Sequence, residues 1–321
     1  GLLGNFLCQT FSEQDIPVVA LKRAESNHGF HGAVNETIEW REGDILDPLK
    51  LEANLEGVDT IIHCAAMISF DKRDRDIMNK TNVEGTKNLV DAALKKGVKR
   101  FIHVSSIAAI GRNKLKSTID ETEKWQSSRL NTNYAVSKHL AELEVWRGQA
   151  EGLNAVIVNP SVILGPGDWG KSSTRIFKYV WEENKYYTPG TVNYVDVRDV
   201  CTAVLKLYHS TINGERFIIN AGKTTYLKLF QAIARQFKKK PPTKEVSPLM
   251  MRIASFFEYI KSLITNQKPL ITRETSRVGS LNLAYDNSKA SSELGLEFRE
   301  LEDTVAWACQ LISEKNGFSN H

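Results

Sequence analysis

Nowhere in the chain do about 18 apolar residues run uninterrupted, so no segment reads as a membrane-crossing helix. Cysteine is scarce: Cys8, Cys64, Cys201 and Cys309 are scattered through 321 residues, with no CxxC and no Cys/His spacing suited to a metal. That pattern excludes a disulfide scaffold and a structural zinc site, and a chain this long buries enough core to fold without either. Reduced, packed thiols suit the cytoplasm, which is the expected compartment. Excess charge of one sign is also lacking, with a net charge of +4. The longest basic run, Lys238 to Lys240, precedes Pro241 and Pro242 and reads as a solvated helix end. Nucleic acid is therefore not an expected partner. What remains is an ordinary globular composition, 41% hydrophobic and 25% charged. The length allows about two domains, or one large α/β unit with an appendage.

The first two-thirds of the chain alternate between two patterns. Short apolar runs rich in branched residues occur at 16–21 (IPVVAL), 59–66 (DTIIHCAA), 100–106 (RFIHVSS) and 154–160 (NAVIVNP). Helical patterns lie between them, at 81–97 and 134–148, with Gly97 and Gly148 placed for left-handed caps. Runs apolar on both faces suggest strands covered on both sides, and the alternation predicts a parallel, doubly wound α/β sheet. After Pro160 the rhythm loosens. Residues 192–208 and 215–222 read as late core pieces, 165–191 as an excursion, and 223–321 as mainly helical with a short strand within 281–286. The apolar stretch 248–264 has helical spacing suited to packing over a substrate pocket.

Gly1 and Gly4 open an apolar helical stretch that is followed by the strand at 16–21. This reads as the turn and helix of a βαβ unit, whose helix start presents backbone N–H groups to a phosphate. A complete fingerprint has another glycine two residues earlier and a strand before it. The sequence thus predicts about ten further residues ahead of Gly1 in the natural chain, a strand and a glycine turn. The end of the second strand reads the adenosine ribose of a dinucleotide. Here VVAL is followed by Lys22 and Arg23, with the nearest acid, Glu25, two positions later. Arginine's planar fork suits a phosphate monoester, so NADP is expected ahead of NAD. Asp44, after a short strand, is placed to accept from an adenine amino group. Ala65 and Ala66, at the end of HCAA, permit close approach of backbone to a cofactor, while His63 reads as a packed strand histidine.

Two tyrosines stand four positions before a lysine: Tyr134 before Lys138, and Tyr285 before Lys289. The spacing alone selects neither. Tyr134 starts a helix and Lys138 follows one turn on, on the same face. Upstream, Ser105 and Ser106 close a predicted strand, where ligands sit in open α/β sheets. Ser106, Tyr134 and Lys138 can converge on one oxygen. Tyr285 has no such surroundings and reads as structural.

Together these segments resemble the extended short-chain dehydrogenase/reductase family, and within it the dihydroflavonol-reductase and 3β-hydroxysteroid-dehydrogenase branch. The resemblance rests on GLLG (1–4), GDILD (43–47), HCAA (63–66), NVEGTKNLV (82–90), FIHVSSIAAIG (101–111), YAVSK (134–138), NPSVILGPGD (159–168) and YVDVRDV (194–200). It implies a Rossmann-type doubly wound parallel sheet with a smaller, mainly helical C-terminal substrate lobe. Residues 1–164 with 192–222 would form the dinucleotide-binding domain, and 165–191 with 223–321 the substrate lobe. It further implies that Ser106, Tyr134 and Lys138 are catalytic. Cofactor contacts would come from Gly1, Gly4, Arg23, Asp44, Ile45, Ala65, Ala66, Tyr134, Lys138, Pro160 and Ile163. A homodimer built on the helices at 82–95 and 134–147 is implied as well.

A carbonyl accepting hydride needs a proton at its oxygen. A free tyrosine, with a pKa of about 10, is a poor shuttle near neutrality, and a nearby ammonium is expected to lower that value. The expected activity is thus NAD(P)-dependent reduction of a ketone or aldehyde, or oxidation of the matching alcohol, on a small molecule. Aromatic residues in 179–187 and the stretch 248–264 suggest apolar walls. The alternatives are a nucleotide-sugar epimerase, for which Lys171, Arg175, Lys178 and Arg198 are the available bases, and a non-catalytic NADP-binding sensor.

Overall fold

The computed structural model describes residues 1–26, 38–111, 117–128, 130–171, 173–247 and 282–318. The stretch 248–264 lies outside the described residues. The α/β architecture expected from the alternation is present. β1 (Val18–Lys22) pairs in parallel with β2 (Ile38–Glu42). β3 (Thr60–His63), β4 (Arg100–Val104), β6 (Ala155–Pro160) and β10 (Arg216–Ile219) form a parallel sheet in the spatial order β10-β6-β4-β3.

Every residue of β4 and of β6 is buried. Successive side chains of a strand point to opposite faces, so such a strand must be apolar throughout and covered twice. Ile102, Val104, Val156 and Val158 face a core shared with α1 (Leu2–Ser12) and α7 (Val197–Tyr208), into which Phe6, Phe11, Val200 and Val204 project. Phe101, Ala155 and Ile157 face the opposite core. It is filled by Leu51 of α2 (Pro48–Asn54), by Leu89, Val90 and Ala93 of α4 (Gly85–Lys96) and by Val145 of α5 (Asn133–Ala150). Each fully buried apolar side chain of this size contributes roughly 1.5–3 kcal/mol relative to exposure. The alternation therefore anchors β4 and β6 firmly, and their carboxyl ends carry the site described below.

The two glycines expected to cap helices behave differently. Gly97 is left-handed, with φ 65°, and terminates α4. Gly148 lies inside α5, whose end is two residues later. A Cβ on Gly148 would stand 2.5 Å from Val90 Cγ1, so this glycine serves the close approach of α4 and α5 rather than a cap. Ahead of α4, α3 (Arg75–Asn79) and a π-turn at Lys80–Glu84 carry Asn82 into the interior.

A smaller sheet joins β7 (Val162–Leu164) in parallel to β9 (Thr191–Asp196), and β9 antiparallel to β11 (Gly222–Thr225). Over it, α6 (Thr174–Trp181), α8 (Tyr226–Phe237) and α10 (Leu301–Asn316) enclose a second core. Two short pairs finish the set. β8 (Tyr186–Tyr187) lies beside β12 (Lys244–Glu245), and β13 (Ala284–Tyr285) beside β5 (Thr118–Ile119). α9 (Ser288–Leu294) packs near β10 and α7.

Candidate active site

β4 delivers Ser105 and Ser106 at its carboxyl end. Ser106 is extended, with φ −163° and ψ 151°, and caps a short 3-10 turn: its Oγ accepts from Ala108 N at 3.2 Å. The neighbouring strand, β6, ends on Asn159 and Pro160, and Asn159 Nδ2 donates to Ser106 O at 2.9 Å. α5 begins beside them. Its N-cap, Thr132, accepts from Ala135 N at 3.0 Å and so starts the helix one residue before Tyr134. Lys138 follows one turn later and is 2% exposed. Its ammonium donates to Val104 O at 2.9 Å and lies 3.4 Å from His103 Nε2. A strand end and a helix start thus bring Ser106 to Tyr134, and one helical turn sets Lys138 on the same face of α5 as Tyr134.

Burial dominates the electrostatics of this cluster. Desolvation pushes the Tyr134 phenol up to about 12, against the pull of the neighbouring Ser106 hydroxyl towards the phenolate. The sequence led us to expect the opposite sign, with the ammonium acidifying the phenol. The ammonium instead gives its hydrogen bond to Val104 O, and removal from water disfavours the charged phenolate. Burial also brings Lys138 down to about 8, while Glu142 and Cys64 act to raise it. The imidazoles beneath stay neutral. Thr86 Oγ1 donates to Asn82 O at 2.6 Å, so His63 Nε2 must donate to Thr86 Oγ1 at 2.9 Å. Burial, and secondarily the Lys138 charge, brings His63 down to about 3. It is the packed strand histidine the sequence suggested.

The residues read as cofactor contacts fall at the ends of β1 and β2, at the end of β3 beside α1, at the end of β6 and in β7. Arg23 follows β1 and Asp44 follows β2, and these ends are tied by Gly43 N donating to Lys22 O at 2.9 Å. Arg23 is exposed, whereas Lys22 reaches over the Trp40 ring at 6.0 Å. Asp44 Oδ1 accepts from Leu46 N at 2.9 Å, and Ile45 packs on Gly85 of α4. At the end of β3, Ala65 and Ala66 are exposed. Gly4 approaches the same strand end, since a Cβ there would lie 3.4 Å from Cys64 Sγ. Gly1 is the N-cap of α1. Pro160 is buried at the end of β6, opposite Ile219 of β10, while Ile163 sits apart in the small sheet. A helix that starts on a glycine, exposed alanines at a strand end and an exposed guanidinium beside a second strand end fit the pyrophosphate, the nicotinamide half and the adenosine half of a dinucleotide.

Three side chains that sequence reasoning passed over complete the arrangement. Asn82 clamps the loop after β3, accepting from Met67 N at 2.7 Å and donating to Met67 O at 2.9 Å. That loop sets Phe70 edge-on to the Tyr134 ring, with centroids 6.2 Å apart. Asn159 and Glu142 meet at 2.5 Å behind Ser106. A glutamate four residues after Lys138 was the available signal for one of them. The aromatic residues of 179–187 are largely used elsewhere: Trp181 stacks on Phe318 at 3.8 Å, and Tyr179 packs on Phe230 at 5.6 Å.

Residues 1–222 match the sequence profile of the NAD dependent epimerase/dehydratase family. Cinnamoyl-CoA reductase 2 of Arabidopsis thaliana is 30% identical over 73% of this chain and 74% of its own length. Sterol demethylase protein B of Methylococcus capsulatus is 29% identical over 84% of each chain. Among solved structures, the crystal structure of gox2253 superposes with a TM-score of 0.83 at 29% identity, covering 99% of this chain and 96% of that one.

Proposed function

Because this chain belongs to the NAD dependent epimerase/dehydratase family, we propose that Ser106, Tyr134 and Lys138 reduce a ketone or aldehyde of a largely apolar small molecule, or oxidise the matching alcohol. The observation that carries this reading is the contact of a phenol with a serine hydroxyl at the carboxyl end of β4, with a buried ammonium one helical turn from the phenol and bonded to the last carbonyl of the same strand. NAD(P), when bound, supplies or takes the hydride. Gly1, Gly4, Arg23, Asp44, Ile45, Ala65, Ala66, Pro160 and Ile163 would hold it, together with Tyr134 and Lys138.

The protein's own part is binding and proton handling. Burial pushes the Tyr134 phenol up to about 12, so it carries its proton at neutral pH, and giving that proton to the substrate oxygen calls for nearby positive charge to stabilise the phenolate. Ser106 Oγ is placed to hydrogen-bond the same oxygen and orient it. Lys138, one helical turn from Tyr134 on the same face of α5, would supply a positive charge that favours phenolate once the proton has left. Phe70, beside Tyr134, and Ile68, exposed on the same loop, support an apolar or aromatic substrate. The bases available for a sugar pyrophosphate are mostly engaged. Arg198 pairs with Asp196 at 2.6 Å and covers Trp307 at 3.7 Å, Lys171 lies 3.4 Å from Asp168, and Lys178 lies 3.7 Å from Glu182. That favours the reductase over the epimerase.

Exposed Arg23 supports NADP as the preferred cofactor. Arg23→Glu should weaken NADPH relative to NADH by about tenfold, or 1.4 kcal/mol, measured by fluorescence titration. The exposed Leu140 and Leu143 on α5 support a homodimer, for which light scattering at twice the chain mass is the check. Free thiols at all four cysteines support a cytoplasmic setting. Among the described residues, no helix is long and apolar enough to cross a membrane. The deciding experiment is cofactor titration followed by a panel of aromatic and alicyclic carbonyls. NADPH oxidation with at least one of them is expected. Binding without oxidation of any would replace the reductase by the sensor reading.

A further inference from the structure

We propose that Glu142 is a positioning residue for this site: its buried carboxylate is the counter-charge of Lys138 and, through Asn159, holds Ser106 in register with Tyr134. The inference rests on reading Ser106, Tyr134 and Lys138 as the reacting set. Tyr134, Lys138 and Glu142 follow one another at four-residue steps along α5 and share one face. Glu142 is 1% exposed, so its carboxylate has been taken almost wholly out of water. Such a group is tolerated only with partners that replace solvent. Its Oε1 accepts from Asn159 Nδ2 at 2.5 Å, and its Oε2 stands 3.5 Å from Arg216 Nη1.

The Asn159 amide nitrogen has two hydrogens, and both are committed: one to Glu142, the other to Ser106 O at 2.9 Å. A continuous path therefore runs from the helix bearing Tyr134, through Glu142 and Asn159, to the backbone of Ser106. It spans three elements, α5, β6 and the end of β4, which no covalent connection holds at a fixed separation near the site.

The charges around the pair leave Glu142 a distinct electrostatic role. Lys138 is faced by His103 from β4, by His63 and Cys64 from β3 and its end, and by Glu142 from its own helix. Burial keeps both imidazoles neutral and pushes the Cys64 thiol up, so these neighbours carry no balancing charge near neutrality. Burial pushes the Glu142 carboxyl up, while Ser105 from the end of β4, Arg216 from β10, Asn159 from β6 and Lys138 from its own helix pull it back towards the carboxylate. The Arg216 guanidinium also donates to Glu121 O at 2.6 Å and to Glu123 O at 3.0 Å. Among the described groups that act on Lys138, Glu142 is the one carboxylate.

The two halves of the role separate by substitution. Glu142→Gln keeps an oxygen for Asn159 and removes the charge. Glu142→Ala removes both. In protein labelled at the lysine Cε, the carbon resonance assigned to Lys138 by its loss in Lys138→Met reports that ammonium directly, without turnover. In Glu142→Gln its titration midpoint should fall by about half a pH unit or more. The alkaline limb of kcat/KM for NADPH-dependent reduction should move down with it. Glu142→Ala should add a loss of about tenfold in kcat that lowering the pH does not restore, because Ser106 is no longer held. If Glu142→Ala does not fold, Glu142→Gln decides alone. A midpoint unmoved in Glu142→Gln overturns the proposal. So does an Ala variant with wild-type kcat and pH profile. If no carbonyl is reduced by the wild-type protein, the reductase reading fails, while the resonance still decides the link between Glu142 and Lys138.

Discussion

Two tyrosines in this chain stand four residues before a lysine, and the molecule treats the two pairs in opposite ways. Tyr134 and Lys138 lie on consecutive turns of α5, where Lys138 is buried against a backbone carbonyl and a neutral imidazole. Tyr285 lies in β13 and Lys289 in α9, so no helix face aligns them. Tyr285 packs among Ile110, Ile119 and Ile218, and Asn220 Nδ2 donates to its backbone carbonyl at 2.9 Å. Lys289 pairs with Glu215 at 2.5 Å and rests over Phe217. The second lysine has an ordinary carboxylate partner near solvent. The first has been stripped of water with a shared counter-charge one turn away. That contrast, rather than the spacing, is what supports Tyr134 and Lys138 as the proposed reactive pair.

The sharpest way to break the comparison is to remove each hydroxyl. Tyr134→Phe should lower kcat at least tenfold, a loss of about 1.4 kcal/mol or more in barrier, while leaving NADPH binding largely intact. Tyr285→Phe should keep kcat within about twofold. Steady-state kinetics and cofactor titration on both variants check this, and a Tyr134→Phe enzyme above a tenth of wild-type rate would sink the assignment.

Next in size comes the burial of the first lysine. Its folded pKa, about 8, lies below the ordinary lysine value of 10.5, so the native state binds fewer protons than the unfolded chain between those values. Stability should therefore rise with pH across that window, since the penalty for a charged buried lysine is full below about 8 and lifts above it. Urea titrations of wild type and Lys138→Met should show the wild type gaining relative to the variant from pH 8 to 10.5. A constant difference would show that burial does not set this lysine's proton affinity. The smallest effect belongs to the other pair: Lys289→Met should cost at most about 1 kcal/mol, because its partner Glu215 is half exposed and water screens the attraction. Chemical denaturation measures that cost, and kcat should not change.

Much of the frame was legible in the amino-acid order. Val156, Ile157 and Val158 form an unbroken apolar run because β6 is covered on both faces, and that physical need is visible as composition. The Tyr134–Lys138 step was legible because helix geometry converts four residues into one shared face. Less legible was Gly148, whose identity answers to Val90 on another helix. Its place near the end of an amphipathic pattern suggested a cap. The sign of the change at Tyr134 was also out of reach, since neither the depth of burial nor the direction of the Lys138 hydrogen bond is written locally.

The sequence by itself determined the alternation of strand and helix and made Ser106, Tyr134 and Lys138 the candidate set. These follow from periodicity, from one helical turn and from residues adjacent in the chain. Only the tertiary structure decided what stands behind that set. Glu142 and Asn159 are 17 residues apart and meet only because α5 packs across the end of β6. Arg216 reaches Glu142 only because β10 pairs with β6. Proton affinity in a dry interior depends on how much water is excluded and which charges remain, and folding alone sets both.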